Sequence, residues 1–172
     1  MNLCSTTRIV FRVVMLCVFL AAGPGTAATW DCSNTKNQSK ETISSHTIKP
    51  GDHPGRELVQ IERVDIILSD DPELDGIESN VYVHLDHIGA TGTNSGYEVW
   101  PLNSGEKVWV KFHGTHYFVA KGENDWELPY MGVFRFIAGT GKYSGIRGGG
   151  VYKGVASSAY GVRQEIICAA EY

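Results

Sequence analysis

Apolar and polar residues alternate along most of the chain from residue 41 onward, and alternation of this kind predicts β-strands. The apolar runs are rich in Val, Ile, Tyr, Phe and Thr, and clusters of Gly, Pro, Asn and Asp separate them. No long segment has the period of a helix. The strands predicted from this pattern are 41–48, 57–68, 79–88, 96–101, 107–120, 129–138, 149–156 and 161–169.

Eight strands with short connections favour an up-and-down antiparallel order. Eight is also the number at which a closed barrel is filled by side chains or holds one small ligand. Closure removes the exposed sheet edges that invite aggregation. We therefore expect an all-β fold, a single eight-stranded antiparallel β-barrel over residues 41–172, preceded by a polar N-terminal segment at 29–40.

Residues 1–28 have the pattern of a signal peptide. Arg8 and Arg12 precede an apolar run at 13–22, which is shorter than the roughly 20 residues that span a bilayer. Small residues then offer cleavage after Ala27 or Ala28. The alternative is an uncleaved anchor helix, which the Gly and Pro residues at 23–25 disfavour. The sequence predicts a secreted or periplasmic protein.

The charge balance argues against two classes of partner. Without residues 1–28, the chain has 13 basic and 19 acidic residues, a net charge of −6. Such a chain is poorly suited to bind phosphates, so we expect neither nucleic acid nor, after signal cleavage, a membrane as partner. No motif indicates a cofactor, and nothing in the sequence indicates an oligomeric state.

Two cysteines remain after removal of the signal peptide, and they lie near the two ends of the mature chain. Cys32 and Cys168 form an even pair in an exported protein, which predicts a disulfide. This bond would join the terminal segments. A catalytic thiol has no support, because neither cysteine has a recognisable base beside it in the sequence.

Four histidines lie on two predicted strands, at positions 84, 87, 113 and 116. Residues three apart on a strand face opposite sides of the sheet, so neither strand offers a pair of ligands on one face. His87 and His116 share the apolar faces of their strands. We therefore expect these two histidines to be polar groups inside the barrel, and we predict no metal site.

Two further motifs have an ordinary explanation beside a functional one. Asn37-Gln38-Ser39 matches the acceptor pattern for N-glycosylation, which matters only in a eukaryotic host, and otherwise predicts a surface loop. The glycine-rich segment 139–150 has the wrong glycine spacing for a phosphate-binding loop. Its glycines are expected to let the backbone turn and to bend the sheet at a barrel corner.

The segment 132–152 contains Gly139-Thr140-Gly141-Lys142-Tyr143 followed by a glycine-rich strand. It resembles the signature of secreted bacterial proteins similar to the allene oxide cyclase barrel and, more distantly, of plant dirigent proteins. The resemblance implies an eight-stranded barrel with an apolar cavity. Members of this fold range from cyclases to stereochemical guides, so the resemblance assigns no catalytic residue here.

Three functional hypotheses follow. The first is an exported, non-enzymatic barrel that binds a small apolar or aromatic molecule, with Phe112, His116, His87 and Tyr152 as ligand contacts. The second is a cyclase-like or isomerase-like enzyme in which the cavity folds the substrate and a histidine moves a proton. The third is a structural or interaction protein of the cell envelope or secretome.

Overall fold

The computed structural model describes residues 27–172, which form strands, turns and a single 3₁₀ turn at Gly141–Tyr143. The predicted signal peptide at 1–28 lies outside the described residues, except for its last two. Within 27–172, no helix has the length and apolar character needed to cross a membrane. The strands are β1 (Thr29–Asp31), β2 (Thr35–Ile48), β3 (Arg56–Leu68), β4 (Glu78–Ile88), β5 (Thr91–Pro101), β6 (Lys107–Tyr117), β7 (Val119–Ala120), β8 (Trp126–Gly139), β9 (Arg147–Ser157) and β10 (Gly161–Glu171).

Eight long strands form a closed antiparallel barrel, which confirms the predicted fold class. Strands β2, β3, β4, β5, β6, β8, β9 and β10 pair in that order, and β10 pairs back with β2. The closing contact is short and joins Arg163–Ile166 of β10 to Thr35–Gln38 of β2. The predicted strand 107–120 is divided, because β6 ends at Tyr117 and the two-residue β7 pairs with β8.

Two strands begin five or six residues earlier than the hydrophobic pattern predicts, more than any other strand. Strand β2 starts at Thr35, inside the predicted polar segment 29–40, and strand β5 starts at Thr91 instead of residue 96. In both extensions the inward positions are polar or lack a side chain. In β2 the inward residue Asn37 is 1% exposed, and in β5 the inward positions are Gly92 and the buried Asn94. Alternation of apolar residues is therefore absent even though the backbone is a strand.

The two ends of the described chain meet on β10. Strand β1 pairs with the last residues of β10, and the amide of Cys32 donates to the carbonyl of Cys168 at 3.2 Å. The Cα atoms of these cysteines are 5.1 Å apart and their sulfur atoms are within bonding distance, as predicted for the pair. The second edge of β10 is thus shared between β1 and β2.

An aromatic cluster fills one end of the barrel. The Trp30 ring stacks on Phe136 with centroids 5.6 Å apart, lies 5.0 Å from Tyr143 and meets Trp100 edge-on at 6.4 Å. Trp100 and Tyr143 are each 1% exposed. Burying large aromatic side chains is among the strongest contributions to a core. We call this the Trp30 end; β4 and β6 finish at the opposite end of the barrel.

Candidate functional site

A cavity of about 100 Å³ lies inside the barrel, next to the Trp30 end. Most of its wall consists of aliphatic and aromatic side chains, including Val83 and Phe112. The polar residues in the wall are Arg63, Asn94, Glu98, Tyr130, Tyr152 and Gln164. A concave, mainly apolar space with a few polar groups is the usual form of a small-molecule site.

Two glycines on neighbouring strands determine how the Tyr152 ring lies in this interior. Tyr152 pairs with Gly132, Gly132 with Gly114, and Gly114 with Asn94, so the four residues form one row on the inner face. A Cβ atom on Gly132 would lie 2.4 Å from the Tyr152 hydroxyl oxygen, and one on Gly114 would lie 2.7 Å from it. The ring therefore crosses two strands and donates a hydrogen bond to Asn94 Oδ1 at 2.5 Å.

Two other rings use the same arrangement. The Tyr130 ring lies over Gly154, where an added Cβ would be 2.5 Å from the hydroxyl oxygen, and the Phe112 ring lies over Gly96. These inward glycines make room for aromatic rings. Glycine has a different role in the turn of segment 139–150, where Gly145 has a φ of +86°, a conformation that favours glycine.

A buried ion pair lies in the cavity wall on β3. Arg63 donates from Nε and Nη2 to the two carboxylate oxygens of Asp65, at 2.8 Å and 3.0 Å. The Asp65 side chain is fully buried, whereas that of Arg63 is 13% exposed. The third guanidinium nitrogen of Arg63, Nη1, takes no part in this pair and can donate to another acceptor. Because each charge compensates the other, removing either one alone would leave an unpaired charge in the core.

Glu98 is a buried carboxyl group beside this pair. It accepts a hydrogen bond from Asn37 Nδ2 at 2.9 Å and is 5% exposed. Burial, together with the negative charge of Asp65, raises the pKa of Glu98 to about 7. At neutral pH the group therefore exists in both protonation states, as a donor or an acceptor of a proton.

Three buried donors in the cavity wall lack partners in the part of the chain that the structure describes. They are the hydroxyl of Tyr130, the amide nitrogen Nδ2 of Asn94 and the indole nitrogen Nε1 of Trp100. Burial raises the pKa of Tyr130, so its hydroxyl stays protonated and remains a donor. Buried polar groups without a partner are uncommon in folded proteins and require an explanation.

His87 and His116 form a pair outside this cavity, at the end of the barrel opposite Trp30. Both pair with Gly92 of β5, one from each side, and their rings meet edge-on over it with centroids 5.6 Å apart. An added Cβ on Gly92 would lie 2.5 Å from the Cβ of His87. His87 Nε2 lies 3.5 Å from Glu57 Oε2. Burial and then the neighbouring His87 lower the pKa of His116.

The four ligand contacts predicted from the sequence therefore separate into two groups. Phe112 and Tyr152 line the cavity, whereas His87 and His116 lie beyond it. No cluster of three or more His, Cys, Asp or Glu side chains within residues 27–172 is arranged to hold a metal ion.

Sequence reasoning missed five polar residues of the cavity wall, namely Arg63, Asn94, Glu98, Tyr130 and Gln164. A signal for Arg63 was present, because Arg63 and Asp65 occupy the same face of β3 as Ile61 and Ile67. Two opposite charges at alternate positions on an apolar face indicate a buried ion pair. Asn94 lies in the part of β5 that the hydrophobic pattern did not identify as strand.

Asn37 is not the surface residue that its acceptor motif suggests. It lies in β2, is 1% exposed, and its side-chain nitrogen is bonded to Glu98 inside the barrel. A glycan is bulky and must lie at the surface, so a modified Asn37 is incompatible with this fold.

Two comparisons with known proteins give no indication of a function for this site. A scan against protein-family models finds none that matches the chain. A search of curated proteins finds no match either.

Proposed function

We propose that the protein is an exported barrel that holds one small, largely apolar or aromatic molecule in its interior cavity. The observation that carries this proposal is the cavity of about 100 Å³, walled mainly by apolar side chains. An engineered apolar cavity of about 150 Å³ binds benzene, whereas drug-sized ligands occupy about 300–1,000 Å³. The ligand is accordingly a molecule with about one ring.

The aromatic rings of the wall are suited to such a ligand. Phe112 and Tyr152 meet edge-on with centroids 5.9 Å apart and an interplanar angle of 83°. Glycines on neighbouring strands make room for both rings, so their positions are set before a ligand binds, and preorganisation of this kind lowers the cost of binding. Because the aromatic cluster fills the Trp30 end, a ligand would enter the barrel at the opposite end, where His87 and His116 lie.

The resemblance of segment 132–152 to allene oxide cyclase-like and dirigent-like barrels is consistent with this proposal. Both groups are expected to enclose an apolar cavity. The signal-peptide pattern and the Cys32–Cys168 pair support the export part of the proposal, since disulfides persist in oxidising compartments.

The direct test is titration of the protein, labelled with ¹⁵N, with toluene, cyclohexanone and methylenecyclohexane, followed by amide NMR. Binding should shift amides around Phe112 and Tyr152. The variant Ala156→Leu, which fills the cavity, should lose the shifts, whereas Val155→Leu on the outer face of the same strand should retain them. If none of the probes binds at millimolar concentration, the proposal is wrong and a structural or interaction role is favoured.

A second candidate, proton-transfer catalysis of the isomerase kind, is favoured by one observation. Glu98 lines the cavity with a pKa of about 7, the range in which a general acid or base is most effective. In this candidate function, the group that transfers the proton to or from the substrate is Glu98 and not a histidine. Exchange of the α-protons of cyclohexanone in D₂O, followed by ¹H NMR, would detect it. Exchange at the same rate with Glu98→Gln would exclude this role.

A further inference from the structure

We propose that the cavity selects ligands that carry a neutral carbonyl-type oxygen, which accepts hydrogen bonds from Arg63, Tyr130 and Asn94. This inference rests on the proposed binding function and specifies its ligand class. The first reason is a surplus of donors. Arg63 Nη1 is left over from the bidentate pair with Asp65, and the Tyr130 hydroxyl and Asn94 Nδ2 lack partners among the described residues.

The donor groups belong to one site. All three residues line the same cavity of about 100 Å³; Asn94 is buried, whereas Arg63 and Tyr130 remain partly accessible, Arg63 at 13%. The Asn94 amide is fixed by the hydrogen bond that Tyr152 donates to its Oδ1, which leaves Nδ2 as the free end. An oxygen acceptor in the cavity would provide the partner that buried donors require.

The charges in the wall favour a neutral acceptor over a carboxylate. Asp65 already balances the charge of Arg63, so the pair is neutral as a unit. Glu98 adds part of a negative charge at neutral pH. A carboxylate ligand would therefore bring a further unbalanced charge into a buried site, which is strongly unfavourable. A hydrocarbon of the same shape brings no charge but leaves the donors unpaired.

The test compares three ligands of similar size. Cyclohexanone and methylenecyclohexane differ only in whether the ring carries C=O or C=CH₂, and cyclohexanecarboxylate carries a negative charge. We expect cyclohexanone to bind roughly tenfold more tightly than methylenecyclohexane, which is the effect of about one net hydrogen bond. Cyclohexanecarboxylate should bind most weakly. The carbonyl stretch of bound cyclohexanone should shift to lower wavenumber than in hexane.

Two variants test the assignment of the donors. Tyr130→Phe removes only the hydroxyl, and Arg63→Lys retains the positive charge opposite Asp65 while removing the guanidinium. Each should reduce the preference for cyclohexanone over methylenecyclohexane, whereas Tyr97→Phe on the outer face should not change it. Binding of methylenecyclohexane verifies that a variant is folded.

The outcomes separate this inference from the proposed function. Equal affinities for the ketone and the alkene would overturn the inference, since water would then satisfy the donors just as well. Tighter binding of cyclohexanecarboxylate than of cyclohexanone would also overturn it. Either result would leave the binding function intact, whereas failure of all three ligands to bind would contradict the binding function itself.

Discussion

Tyr152 and Asn94 are joined by a hydrogen bond that crosses two intervening strands of the barrel. The contact exists because Gly132 and Gly114, which lie between them in the same row, have no side chains. One bond thus fixes a ring and an amide in the wall of the cavity. The stability of this arrangement can be measured separately from ligand binding.

Replacement of Tyr152 by Phe should lower the free energy of unfolding by about 1–3 kcal/mol, because Asn94 Oδ1 then has no donor. Urea denaturation measures the change. The matched control is Tyr130→Phe, at a half-buried tyrosine whose buried hydroxyl has no partner among residues 27–172. Its removal should change stability by less than about 0.5 kcal/mol or stabilise the fold. Equal losses in both variants would contradict the importance of the bond.

Replacement of Gly132 by Ala should destabilise the barrel by about 1–3 kcal/mol or more. The added methyl group would lie 2.3 Å from the carbonyl oxygen of His113 and 2.4 Å from the Tyr152 hydroxyl. Gly122→Ala is the control, since its nearest neighbour would be at an ordinary 3.7 Å. The midpoints of thermal unfolding compare the two. A Gly132→Ala protein as stable as the control would show that the ring moves aside without cost.

The pKa of Glu98 predicts a dependence of stability on pH. The folded-state pKa, about 7, lies above the ordinary value of 4.5, so the folded protein binds more protons than the unfolded chain between these values. The associated stability is fully present below pH 4.5 and is lost as the pH rises through 7. From the size of the shift, the loss amounts to roughly 3 kcal/mol.

Glu98→Gln should remove this dependence, and denaturant unfolding between pH 4.5 and pH 8 measures it. His116 acts in the opposite direction, because its pKa is lowered and its contribution is lost as the pH falls below 6.5. Both proteins contain His116, so the difference between their stability curves isolates Glu98. A difference that does not change with pH would refute the assignment.

Loss of the Cys32–Cys168 bond should lower the free energy of unfolding by about 2–5 kcal/mol. The two residues are 136 positions apart, and the long loop that they close restricts the unfolded chain. The double variant Cys32→Ser/Cys168→Ser, compared with the parent protein under oxidising and reducing conditions, measures the effect. Reductant should change the stability of the parent and leave that of the double variant unchanged. If the parent does not respond, the bond contributes nothing measurable.

The sequence predicted the barrel because apolar alternation is strong in most strands. The prediction failed for strand segments whose inward positions hold a polar residue or a glycine, as at Asn37 and Gly92. The pattern records side-chain polarity and not backbone pairing. Phe112 and Tyr152 were placed in the cavity wall on sequence grounds. The position of His116 beyond the cavity depends on barrel length and strand tilt, which no local pattern contains.

Aromatic rings that lie over glycines on neighbouring strands should make the packing of the interior easy to change. Each ring occupies the space that a side chain on a neighbouring strand would otherwise fill. We therefore expect that a glycine and an aromatic residue can exchange places across a strand pair with the backbone pairing retained. Such an exchange would relocate the hollow within an unchanged framework. We expect two such substitutions to change the shape of the cavity, and laboratory libraries that vary Gly114, Gly132, Gly154, Tyr130 and Tyr152 together would test this.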